Sequence, residues 1–102
     1  MTFTYSTEWV NQFGTASNFD QTQDLAIDAL GNTYVVGNTT GSIFGDHAGF
    51  FDGFLAKFDR FGSLEWARQI ATSRNDFVNT VAVDPLGNIF IAGRGSSAAP
   101  NL

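Results

Sequence analysis

The residues best suited to chemistry are carboxylates and a single imidazole. Asp46 and His47 are adjacent, and Asp52 follows a few residues later, among Gly41, Gly45, Gly49 and Gly53. These side chains lie on the longest connection read from the sequence, Asn38 to Asp52, and a long loop on a rigid scaffold is where binding residues collect. Their oxygens and the imidazole suit carbohydrate hydroxyls or a divalent ion. Asp20 and Asp76 fall in two other connections, Gly14–Gln23 and Ala71–Asn79, expected on the same side of the molecule, so Asp20, Asp46, His47, Asp52 and Asp76 form the candidate ligand-binding set. The competing reading is a solvated Gly-rich loop. One His and no Cys make a poor transition-metal set, so neither a metal nor a cofactor is expected.

Other reactive patterns are weaker. Asp28-Ala29-Leu30-Gly31-Asn32 and Asp84-Pro85-Leu86-Gly87-Asn88 carry oxygen ligands suited to calcium, but their spacing is that of a turn rather than of alternating ligands over a twelve-residue loop. Trp9 and Trp66 suit sugar stacking, yet their apolar alternate neighbours place them in a core. No Gly-x-Ser-x-Gly is present, and no Ser and Asp arrangement surrounds the single His, so no catalytic residue is assigned. The Gly-rich runs lack the lysine of a phosphate-binding loop. A carboxylate pair for glycoside cleavage is defined by a distance, which sequence does not give.

The elements that must position these residues are strands. Eleven Phe, two Tyr and two Trp suit sheets, and 11 Gly with two Pro suit tight turns. The formal charge of −5, with only five Lys and Arg, argues against a phosphate-backbone partner, so no nucleic acid is expected. No cysteine means no disulfide. No 18-residue apolar run is present, so no membrane span is expected, and no secretory signal is read at Met1–Ser6.

The sequence repeats. Glu8-Trp9, Gln12 and Thr15 match Glu65-Trp66, Gln69 and Thr72 at a spacing of 57, and Ala26, Asp28, Leu30, Gly31, Asn32 and Gly37 match Ala82, Asp84, Leu86, Gly87, Asn88 and Gly93 at 56. That period holds four short strands. The strands are expected at Asp24–Asp28, Thr33–Gly37, Gly53–Asp59 and Ser63–Ile70, then at Thr80–Asp84 and Asn88–Gly93 in a second unit. Asp28–Gly31, Asp59–Gly62 and Asp84–Gly87 share Asp-x-x-Gly, a turn in which Asp accepts backbone N–H groups and Gly takes a positive φ. Phe54, Ala56 and Phe58 alternate with Leu55 and Lys57, while Tyr34-Val35-Val36 is apolar on both faces, as a strand between two neighbouring sheets must be. Arg68 is the one charge on the apolar face of its strand. The single segment 1–102 thus divides into strand four of a preceding blade at 7–13, a complete blade at 24–70, half of the next at 80–93, and a tail at 94–102.

The run from Ala26 to Thr39 resembles the repeat of the bacterial SBBP (beta-propeller repeat) family, as does Phe51-Asp52-Gly53-Phe54-Leu55-Ala56-Lys57-Phe58-Asp59 with Gly62, Trp66 and Gln69. About one and three-quarter repeats are covered; the departure is Ile70-Ala71-Thr72 where Phe13-Gly14-Thr15 follows the family pattern. The resemblance implies an all-β fold of four-stranded antiparallel blades in surface or secreted bacterial proteins, and no particular activity. Two blades do not close a ring of the usual four to eight. The expectation is therefore a partial propeller completed by homo-oligomerisation, head to tail through composite blades, as a trimer or tetramer. The function expected is a non-enzymatic binding or scaffold module, with carbohydrate as a possible ligand. The alternatives are a hydrolase acting on glycans through acidic loops, and a fragment of a larger propeller, natural or engineered, with no activity of its own.

Overall fold

A computed structural model describes residues 9–14, 20–41, 51–70 and 75–95. These residues form six strands and no helix: β1 (Asp20–Ile27), β2 (Thr33–Thr39), β3 (Asp52–Phe58), β4 (Leu64–Ile70), β5 (Asp76–Val83) and β6 (Ile89–Gly95). The first four make one antiparallel sheet in the order β1-β2-β3-β4, and β5 and β6 make a separate antiparallel pair.

The hairpin tips follow from local chemistry. In each of the three Asp-x-x-Gly turns the Asp Oδ1 accepts two backbone N–H groups: from Leu30 and Asn32 on Asp28, from Phe61 and Ser63 on Asp59, and from Leu86 and Asn88 on Asp84. The fourth residue closes the turn by donating its N–H to the Asp carbonyl, at 3.0–3.1 Å. It is Gly in all three cases because φ there is 86–87°, a left-handed conformation that side chains resist.

Strands β1 and β5 begin four residues earlier than the sequence pattern indicates. Each contains a bulge, between Thr22 and Asp24 in β1 and between Val78 and Thr80 in β5, which shifts the side-chain alternation and hides the first half of the strand from a period-two reading. The bulge also explains the repeated Gly37 and Gly93. A Cβ on Gly37 would lie 2.0 Å from the Gln21 carbonyl oxygen, and one on Gly93 would lie 1.9 Å from that of Phe77. The bulged backbone fills the place of the missing side chain.

The sheet has two packed faces. On one, Tyr34, Val36, Leu55 and Ile70 meet Val78 and Val81 of β5, with Ala26, Val83, Ile89 and Ile91 around them. On the other, Val35, Phe54, Ala56 and Phe58 are covered by Trp9 and Phe13, with Ala67 alongside. All seven residues of β2 are buried, as expected of a strand enclosed on both sides. Arg68 is exposed on β4, the outer strand of the sheet, where its charge stays in water.

Candidate functional site

The structure places Asp20, Asp52 and Asp76 in strands rather than on connecting loops. Each is the first residue of its strand, β1, β3 and β5. They gather at one end of the blades. Asp20 and Asp52 both lie opposite Thr39, on either side of β2, and the Asp76 N–H donates to the Phe51 carbonyl at 2.8 Å. Asp52 and Asp76 are buried and Asp20 is half-buried. The carboxylates have partners within the fold: Thr39 Oγ1–H donates to Asp20 at 2.5 Å, and Gln69 Nε2 donates to Asp52 at 2.9 Å. Asp46 and His47 lie outside the described residues. Among the described residues no group of three or more His, Cys, Asp or Glu is arranged to hold a metal ion.

Electrostatics concentrate at the tips. Asp28 accepts from the Asn32 side-chain amide, from the Asn32 and Leu30 N–H groups and from Tyr34 O–H, at 2.9–3.0 Å. These donors, the Asn32 amide foremost, lower its carboxyl from the ordinary 3.8 to about 2. Asp84 is lowered in the same way, chiefly by the Asn88 amide. Burial foremost, with Asp28 next, raises the Tyr34 phenol. Lys57 lies 5.7 Å from the Tyr34 ring centre and pairs with Glu65 at 3.0 Å, on a partly exposed surface that lends it little energy.

Two side chains that the sequence reading did not single out join β5 to the sheet. Asn38 Oδ1 accepts the Val78 N–H at 3.0 Å, and Asp24 Oδ2 accepts the Val81 N–H at 3.0 Å and the Thr80 O–H at 3.1 Å. Both N–H groups flank the β5 bulge, so polar side chains of one unit satisfy backbone donors in the next. The Val81 bond, with Thr80 second, holds the Asp24 carboxyl below its ordinary range. One trace of this role exists in the sequence: the repeat changes here, to Thr80 opposite Asp24 and Arg94 opposite Asn38 in the alignment of the units.

The larger apolar features are two open faces. In the joint within the chain, Tyr34 is 3% exposed and Val81 6%. Their counterparts 56 residues away in the repeat are Phe90 and Leu25, each 58% exposed, and Ile27 beside Leu25 is 63% exposed. Phe90, with Ala82 and Ala92, lies on the face of the β5–β6 pair turned away from the sheet. Leu25 and Ile27 lie on the opposite end of the molecule, lining a groove of about 750 Å³ with Trp9, Leu30, Arg60 and Phe61. Trp9 anchors the segment 9–14 here: its ring centre is 5.9 Å from that of Phe58, and a Cβ on Gly62 would strike it at 2.5 Å. The Asn11 side-chain amide donates to the Gly62 carbonyl at 2.7 Å. Trp66, the counterpart of Trp9, is 39% exposed and meets the Tyr34 ring at 6.4 Å.

Compared with known proteins, the chain is matched by the family model for the SBBP beta-propeller repeat at residues 8–45 and 65–98. No curated protein matches it.

Proposed function

This chain belongs to the SBBP family of beta-propeller repeats, and on that premise we propose that it is a non-enzymatic binding or scaffold module that works by joining blades head to tail. The observation that carries this reading is the correspondence of the two open faces. Four apolar positions of the joint within the chain have apolar counterparts on the open faces: Tyr34 and Val36 correspond to Phe90 and Ala92, and Val81 and Val83 to Leu25 and Ile27. Faces related by the repeat suit each other as the joined pair does, so one copy's β5–β6 face is complementary to the β1 face of the next. A head-to-tail contact of this kind closes when its rotation completes a circle. With two blades to a chain, three or four copies give six or eight blades.

The non-enzymatic part rests on what the acids do. Asp20, Asp24, Asp28, Asp52, Asp59 and Asp84 all accept hydrogen bonds from the chain's own donors, at turns, bulges and strand ends.

The test is native mass by light scattering over a range of concentrations. Three or four copies are expected, and Phe90→Asp and Ile27→Asp are each expected to give monomers with unchanged circular dichroism, since both side chains are already more than half exposed. A wild-type chain that stays monomeric at high concentration while melting cooperatively overturns the reading.

A further inference from the structure

The bulges of β1 and β5 fall at the same place in the two units. Gln23 lies between Thr22 and Asp24, Asn79 lies between Val78 and Thr80, and neither has a partner across its hairpin. The fold accommodates these bulges with two devices. Gly37 and Gly93 omit a side chain where the backbone of the bulged strand comes close, and around the second bulge the Val78 and Val81 N–H groups are taken up by Asn38 and Asp24. A regular strand would need neither device. What the irregularity delivers is one residue per unit held out of the ladder, and re-aiming a side chain is what bulges beside binding and active sites do.

Both residues held out are carboxamides, and both are exposed. Asn79 is exposed although Val78 and Val81 on either side of it are buried in the joint between the units, so a docked neighbour does not cover this position. Neither amide has a hydrogen-bond partner among the described residues, whereas the residues that follow them, Asp24 and Thr80, bond to each other at 3.1 Å. The two free amides therefore stand on either side of that bond, on the first strands of adjacent units.

A carboxamide offers one acceptor, two donors and no charge. That set matches the neighbouring hydroxyls of a sugar, which both give and take hydrogen bonds. An ion finds no charge in these two side chains, and an extended polypeptide finds an edge broken by a bulge in each strand.

We propose that Gln23 and Asn79 together bind a neutral oligosaccharide, each amide meeting the hydroxyls of one sugar, with the two units holding different sugars of the same ligand. This rests on the binding half of the reading above and gives it a site and a ligand class.

The probe is a panel of neutral tetrasaccharides built from glucose, galactose, mannose or N-acetylglucosamine, titrated into the isotope-labelled full chain while its side-chain amide signals are followed by nuclear magnetic resonance. At least one member is expected to shift the Gln23 and Asn79 amides saturably, ahead of those of Asn11 and Gln12. Gln23→Ala and Asn79→Ala are each expected to weaken binding by about two- to tenfold, the contribution of one hydrogen bond, and to leave the urea midpoint in place. Asn79→Gln, which gives the second unit the amide of the first, is expected to keep binding. No shift from any member, undiminished binding by both alanine variants, or saturable shifts centred on other residues overturns the proposal. Native mass separates the two readings: a monomer that binds sugar at these amides removes the ring and keeps the site, and a ring indifferent to the panel removes the site and keeps the ring.

Discussion

Removing the Asn38 side-chain amide is the most direct probe of how the two units are held. Asn38 is 3% exposed and Val78, whose N–H it accepts, is 4% exposed, so Asn38→Ala leaves a buried backbone donor without its acceptor. An unsatisfied buried donor costs about 1–3 kcal/mol. With a urea dependence of about 2 kcal/mol per molar for a domain of this size, the unfolding midpoint should fall by about 0.5–1.5 M. Asn79→Ala, at the exposed bulge residue, is the reference and should leave the midpoint in place. Asp24→Ala should lower it less than Asn38→Ala, because Asp24 is half-buried and water reaches the bonds it leaves. Hydrogen exchange supplies a local reading: the Val78 amide should lose protection in Asn38→Ala before those of β2 and β3 do. A midpoint equal to wild type with Val78 still protected would refute the argument that these acceptors join the units. The converse change extends it to assembly. Arg94 stands where Asn38 stands in the first unit, and as a donor it cannot accept an N–H from a following blade. Arg94→Asn restores the acceptor, and a net gain of about 0.5–1.5 kcal/mol for the hydrogen bond should strengthen association between copies by about two- to tenfold.

Two further outcomes follow from the turns and bulges. Asp28 and Asp84 have carboxyls lowered in the fold, Asp28 to about 2, so each stabilises the protein fully above the unfolded value of 3.8 and loses that contribution as pH falls from about 4 toward 2. Acid unfolding followed by circular dichroism should show a stability loss in that window, and Asp28→Asn should flatten it. Gly37→Ala forces a methyl group onto the Gln21 carbonyl, and should destabilise by about 1–3 kcal/mol or more, seen as a lowered melting temperature.

Much of the blade was legible because it is written in local chemistry. The three Asp-x-x-Gly tips need only contacts within four residues, so their hydrogen bonds and the positive φ of Gly31, Gly62 and Gly87 could be read from four letters. The buried character of β2 followed from Tyr34-Val35-Val36 being apolar on both faces. The starts of β1 and β5 were not legible, since a bulge breaks the alternation that marks a strand. That displacement moved Asp20 and Asp76 from expected loops into strand ends, and Asp52 became the first residue of β3 for the lack of any local signal at that boundary.

By itself the sequence determined the repeat, the hairpin tips and the family, because each depends on neighbours along the chain or on letters recurring at a fixed spacing; the strand expected at 7–13 is not among the six, since residues 9–14 form no strand. Only the tertiary structure decided which faces are sealed and which are open. Leu25 and Val81 have the same character and equivalent places, yet one is exposed and the other buried, because burial depends on whether another unit lies against the strand. It also decided the acceptor roles of Asn38 and Asp24, whose partners lie 40 and 57 residues away. A hydrogen bond across that separation exists only once two sheets have docked.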